Sequence, residues 1–282
     1  MTTQDTSLPA VQGPAMTASE LADLYGINTS EAPQLARVSI NKDPVVEDES
    51  GNDLVVPAPS LKFRPPQGED VYAKDVSIQV YYSTMQSSVW DNDSEKFTNM
   101  SSHFTSWRDN ALDWHGGDKC GWISSKEREK LKDVDPIAYS NAKAVKLSRH
   151  LFGLITMKDD KGKVLIDSEP FRMKLSPSNF QGIDNTLKSI FKGHSINPAS
   201  VPLAISYQRQ KAGSNTYYVL GYKPDYGNIV QLDSDYNILV DDFRSVVEYE
   251  NNQIIEKMRE NAEYHSEDDL GDIPVEGYVI HQ

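Results

Sequence analysis

Residues 75–90 read DVSIQVYYSTMQSSVW, and this stretch decides the fold class. Val76, Ile78, Val80 and Tyr82 alternate with Ser77, Gln79 and Tyr81, the period of two with which a strand presents one apolar face and one polar face. Upstream, LARVSINKD (35–43) carries Leu35, Val38 and Ile40 as a first strand, and Leu54–Val56 forms a short one inside an acidic Gly- and Pro-rich loop. Downstream, residues 91–122 are polar with scattered aromatics and read as a long irregular excursion. KLSRHLFGLITMKDDKGKVLIDSEPFRMKLS (146–176) then reads as strand, Asp-Lys-Gly turn and strand, with a third strand at Phe171–Leu175.

The remaining elements alternate between helix and hairpin. PIAYSNAKAV (136–145) reads as a helical turn. SPSNFQGIDNTLKSIFKG (176–193) is the clearest helix: Ser176 or Ser178 caps it, Phe180, Ile183, Leu187 and Phe191 share a side, and Gly193 follows. VPLAISYQRQKAGSNTYYVLGYKPD (201–225) is a hairpin turning at 212–215, and GNIVQL (227–232) a further short strand. A helix spans 241–265 through Val246, Val247, Ile254, Ile255 and Met258, with Asp241 and Asp242 at its N-terminus and Asn251-Asn252 as a point where it could break. Near the start, TASELADLYGIN (17–28) gives a short helix signal, capped by Thr17 or Ser19 and stopped by Gly26. Many short strands with one conspicuous helix between them point to a mainly β chain with added helices (α+β), arranged as a small Greek-key barrel; a β-sandwich fits the same elements. The expected organisation is an N-terminal arm (1–34), a core (35–240), a C-terminal helix (241–265) and an acidic tail (266–282), with both ends disordered.

Charge separates these parts. The 282 residues sum to −14, yet residues 119–223 hold 18 Lys+Arg against 9 Asp+Glu, while residues 1–60 hold 2 against 9 and residues 251–282 hold 2 against 8. The acid is in the ends and the middle is basic, so the global charge does not argue against a polyanionic partner. Rings are threaded through the basic stretch, among them Trp122, Phe171, Tyr207, Tyr217, Tyr218 and Tyr222. Cations that track a phosphate backbone, with flat rings on which bases stack, are what a single-strand binder needs.

Other classes find little support. No apolar run approaches the roughly 20 residues of a membrane span, and MTTQDTSLPAVQGPAM lacks the basic and apolar parts of a signal peptide. One cysteine excludes an intramolecular disulfide framework. There is no phosphate loop, no GxGxxG and no GxSxG elbow. His103, His115 and Cys120 could supply three zinc ligands, but no fourth and no paired spacing accompanies them; a polar loop is the default reading. Asp91, Asp93 and Glu95 lack the glycine and distal glutamate of a calcium loop. The chain reads as a non-enzyme without cofactor.

The segment Glu267-Asp268-Asp269-Leu270-Gly271-Asp272-Ile273-Pro274 resembles the acidic tip of bacterial single-stranded DNA-binding proteins, with Val275 where their aromatic stands and seven further residues after it. The body (about 18–250) resembles bacteriophage single-stranded DNA-binding proteins in its Ser19–Tyr25 helix, its Cys-Gly element, VKLSRHLFGLITM and PFRMKLSPSNF. The resemblance implies an OB-like barrel in a phage-encoded protein of the host cytoplasm. It also implies no catalysis, cooperative coating of single-stranded DNA during replication and recombination, and a tail (Glu267, Asp268, Asp269, Asp272, Ile273, Pro274). That tail would compete for the groove and recruit phage replication proteins such as polymerase or helicase-primase.

On this reading Lys143, Lys146, Arg149, Arg172, Lys174, Lys188, Lys192, Arg209 and Lys211 are the phosphate contacts. Trp122, Tyr207, Tyr217 and Tyr222 are the stacking rings, with Phe171 ranked last because alternation places it opposite Arg172 and Lys174. Whether copies assemble is open. The competing expectation is a virion structural or assembly protein with acidic arms, in which the cations would scatter instead of converging.

Overall fold

The computed structural model describes residues 34–269 apart from 49 and 214; the expected 17–28 helix, Asp272, Ile273 and Pro274 lie outside them. The fold is mixed α+β and mostly sheet. Among the described residues eleven strands run in chain order as β1 (Ala36–Asn41), β2 (Val45–Glu47), β3 (Asp53–Val55), β4 (Ser60–Arg64), β5 (Val71–Ala73), β6 (Asp75–Asp91), β7 (Lys96–Met100), β8 (Val145–Lys158), β9 (Val164–Leu175), β10 (Leu203–Ala212) and β11 (Asn215–Pro224). The helices are α1 (Ser125–Leu131), α2 (Pro136–Ala144), α3 (Phe180–His194) and α4 (Ser234–Asp269). Nine strands form one sheet in the order β11-β10-β6-β8-β9-β1-β4-β5, with β7 on the far part of β6; β2 and β3 pair separately. No ladder joins the two ends among the described residues, so the expected closed barrel is an open, curled sheet.

The long strand β6 explains the curl. Val76, Ile78 and Val80 face the core opposite Met157, Ile155 and Gly153 of β8. Between Val80 and Tyr82 the register slips by one residue, and from there Tyr82 and Thr84 point to the other face, opposite Phe152 and His150. One inserted residue bends the strand and reverses its alternation. Gly153 sits against the bulge, where an added Cβ would lie 1.8 Å from the carbonyl oxygen of Gln79.

The inner face holds the main core: Val38, Leu61, Phe63, Ile78, Leu151, Ile155, Phe171, Met173 and Leu203, sealed by Ile183 and Ile190 of α3. Each such side chain contributes about 1.5–3 kcal/mol by leaving water. The α3 helix forms where expected, but Phe191 is 63% exposed and Ile190 takes the core position. Neither expected serine caps it: the residue before the helix, Asn179, instead accepts the Leu220 amide, tying the helix start to β11.

Further expectations fail. Residues 227–232 form no strand, and Asp241 and Asp242 lie inside α4, which starts at Ser234 with Asp233 accepting the Asp235 amide. Asn251-Asn252 does not break the helix, because the Asn251 side chain is taken up in accepting the His103 amide at 2.6 Å. The helix continues through Glu267, Asp268 and Asp269, so the acidic segment begins within it instead of in a separate tail. It is about 54 Å long, and its first half is anchored on the outer face by Phe243, Val246 and Val247 against Phe152, Tyr81 and Tyr82. No helix among the described residues is long and apolar enough to cross a membrane.

Candidate nucleic-acid interface

Three strands repeat one pattern: apolar residues inward, cations outward. In β4 Leu61 and Phe63 are buried while Lys62 and Arg64 face out. In β1 Ala36 and Val38 are buried and Arg37 and Ser39 face out; in β9 Phe171, Met173 and Leu175 are buried beneath Arg172 and Lys174. Register brings these outer residues side by side, since Arg37 stands opposite Arg64 on one neighbour and Arg172 on the other. Strands are about 4.8 Å apart, so three guanidinium stems leave the sheet in one row. Like charges placed directly opposite one another destabilise a sheet.

The row floors a groove of about 760 Å³ whose other wall is α4, through Glu250, Gln253, Ile254 and Lys257. Rings stand at both ends. At one, the Lys62 ammonium lies 5.4 Å from the Tyr72 ring centroid; at the other, Lys174 lies 5.3 Å from that of Phe97, which packs edge-on to Trp90. Trp114 also lines the groove, held at its backbone by Asn99, which accepts the amide, and Asn261, which donates to the carbonyl.

Two of the three arginines are neutralised locally. Asp70 accepts from Arg64 Nε at 3.0 Å and also pairs with Lys62, and these contacts hold its carboxyl below the usual range. Arg172 pairs through both terminal nitrogens with Glu250. Arg37, between them, has no carboxylate partner among the described residues.

Beneath Arg172 lies a buried polar knot whose protons can be assigned. His150 Nδ1 faces the Arg172 guanidinium at 3.0 Å and must accept, so Nε2 carries the proton toward Ser148, whose hydroxyl donates to the Gln86 carbonyl. His103 Nε2 donates to Glu250 at 2.8 Å, and its Nδ1 accepts from Thr84. Burial pushes both imidazoles below their ordinary pKa, and the Arg172 and Lys174 charges add to it at each; His150 falls the further because the hydrogen bond and charge of Glu250 oppose the shift at His103 alone. Burial alone would raise the Glu250 pKa, but the His103 hydrogen bond and the Arg172 charge outweigh it and hold the carboxyl down.

The expected contacts divide. Arg172 and Lys174 line the groove, and Lys146 stands on the same face of β8, opposite Ser88. The others lie elsewhere. Arg149 points inward to pair with Asp184 of α3 over the Phe180 ring. Lys188 and Lys192 are exposed on α3, across the sheet, and Lys143 ends α2. Trp122 stacks on Trp107 and packs on a small cluster with Met85, Phe104 and Leu147. Tyr207 and Tyr222 pack against the main core, where burial raises both phenols. Phe171 is fully buried. Arg209, Lys211 and Tyr217 sit on the distal half of the β10–β11 hairpin, beyond the last residues paired to β6.

His103, His115 and Cys120 do not converge. His103 enters the polar knot, His115 meets the Thr98 carbonyl, and the Cys120 thiol meets the Ser87 carbonyl with its pKa pushed by burial up to about 12. No group of three or more metal-ligating side chains occurs among the described residues. No protein-family model and no curated protein matches the chain. The groove therefore carries the functional argument alone. Sequence reasoning missed Arg37, Lys62, Arg64, Tyr72, Phe97, Trp114 and Glu250. A signal was present, because ARVS, LKFR and FRMK share the same apolar–polar alternation with at least one arginine on the polar side.

Proposed function

We propose that the chain binds single-stranded DNA without strong sequence preference, along the groove on the outer face of β4, β1, β9 and β8. The observation that carries this is the row Arg64–Arg37–Arg172, whose central arginine has no carboxylate partner among the described residues, with rings beside Lys62 and Lys174 at its two ends. A phosphate backbone would neutralise the row, and Tyr72, Phe97 and Trp114 offer π-faces to any base.

The topology supports an OB-like unit. Strands β6, β8, β9, β10 and β11 lie in the order β11-β10-β6-β8-β9, with α3 connecting the third to the fourth of them. OB-folds bind oligonucleotides on the face of their second and third strands, which here are β8 and β9. In this reading β1 and β4 occupy the gap that a closing pair would fill. The proposed role is to coat single strands during phage replication and recombination in the host cytoplasm, with the acidic C-terminal residues recruiting replication proteins. A virion protein would have no need of a row of arginines between two ringed ends.

The test is intrinsic tryptophan fluorescence on adding oligo-dT, against a matched duplex, at low and high salt. Saturable quenching by the single strand, weakened by salt and much reduced in Trp114→Phe, is the expected result. Absence of binding to either DNA at low salt, in fluorescence and gel shift alike, would overturn the proposal in favour of the virion protein.

A further inference from the structure

Every nitrogen of the Arg172 guanidinium is engaged in this structure. Its terminal nitrogens hold the two Glu250 oxygens, and Nε, together with one of them, faces His150. A carboxylate gripped bidentately at the floor of a cationic groove occupies the place a phosphate oxygen pair would take. Glu250 also marks a change along α4. Before it, Val240, Phe243, Val246 and Val247 are buried; after it, from 251 to 262, Ile254 is the one fully buried residue. Hydrogen bonds from the His103 amide to Asn251 and from Asn261 to the Trp114 carbonyl hold the rest. This weakly held half is the half that walls the groove, through Gln253, Ile254 and Lys257.

We infer that Glu250 is a latch: a strand's phosphate takes Arg172 by displacing the Glu250 carboxylate, and the helix from 251 onward lifts as the strand enters. The inference rests on the single-strand reading of the groove and specifies its regulation. The closed form blocks Arg172, one end of the row, while the anchored half of α4 stays on Phe152. Strand binding and helix docking then compete for one guanidinium, and each reports on the other by linkage.

The experiment uses Glu250→Gln in the full chain, which keeps an acceptor for His103 and removes the charge. Anisotropy of fluorescein-labelled oligo-dT over a salt series gives affinity and slope. The variant is expected to bind about tenfold more tightly, the scale of a charge-assisted hydrogen bond. Its slope of log K against log[salt] should stay that of the wild type, because Arg172 neutralises a phosphate in both bound forms. In an Arg172→Gln background the same change should bring no gain. In the wild type, hydrogen exchange over 251–262 should speed up when oligo-dT is added. Equal or weaker binding by Glu250→Gln, or greater protection of 251–262, overturns the latch while wild-type binding keeps the groove reading intact. If neither wild type nor variant binds oligo-dT at low salt, the groove reading falls and the latch with it.

Discussion

On β9 the side chains of Phe171, Met173 and Leu175 are at most 2% exposed, while Arg172 and Lys174, each one residue along, line the groove. The same division runs through β1 and β4. The inner face binds the strands and α3 together by burying apolar surface. The outer face sets three arginines side by side and covers them only partly with acid from Asp70 and Glu250. Three arginines side by side, one of them with no carboxylate partner among the described residues, fit the proposed polyanionic ligand better than a purely structural role. If so, substitutions on the two faces should separate stability from binding.

The sharpest separation is expected at Phe171. Phe171→Ala should lower unfolding free energy by about 3–5 kcal/mol, the cost of a large core cavity, measured by urea denaturation. A loss under about 1 kcal/mol would mean that the inner face is not the core. Gly153→Ala comes next. Its Cβ would meet backbone at the β6 bulge, where no flexible side chain can move aside, so a loss of about 1–3 kcal/mol is expected.

Acid should act mainly through the outer face. His103 and His150 have folded pKa values below their unfolded ones, so the unfolded chain binds more protons as pH falls. Their contribution is full above the unfolded histidine value and is lost below it, at up to about 1.4 kcal/mol per pH unit for each proton. Glu250, also depressed, adds a loss at lower pH, as its folded value is passed. Thermal unfolding between about pH 7 and 5 should show the histidine slope, and His150→Asn should flatten it. The smallest stability effect belongs to Arg37→Gln: unfolding free energy should stay within about 0.5 kcal/mol, while binding of oligo-dT weakens and its salt slope falls by about 0.7.

The inner face was legible because alternation in 75–80 and 171–175 is a local property, as was the α3 period apart from the one-residue difference between Ile190 and Phe191; the bulge that turns Tyr82 away from Val76, Ile78 and Val80 was not. Sheet closure was not legible, since it depends on which strands meet at the edges. The site was harder to read. Charge density drew attention to 119–223, but Arg37, Lys62 and Arg64 come from a part of the chain that is acidic or neutral on average. They join Arg172 only through the parallel pairing of β1 with β9 and the antiparallel pairing of β1 with β4. Density also singled out Arg149, which pairs with Asp184 away from the groove, because nothing local announces that carboxylate. Trp122 and Trp114 look alike in sequence, and only packing distinguishes the ring stacked on Trp107 from the one lining the groove.

The most direct measurement is photo-crosslinking of the full chain to 5-iodouridine-substituted single-stranded DNA, with the attached residues located by mass spectrometry. Crosslinks at Trp114, Phe97 or Tyr72, abolished by excess oligo-dT and by high salt, are the predicted result. Crosslinks confined to the β10–β11 hairpin, or to Trp122 on the inner side, would contradict the assignment of the groove.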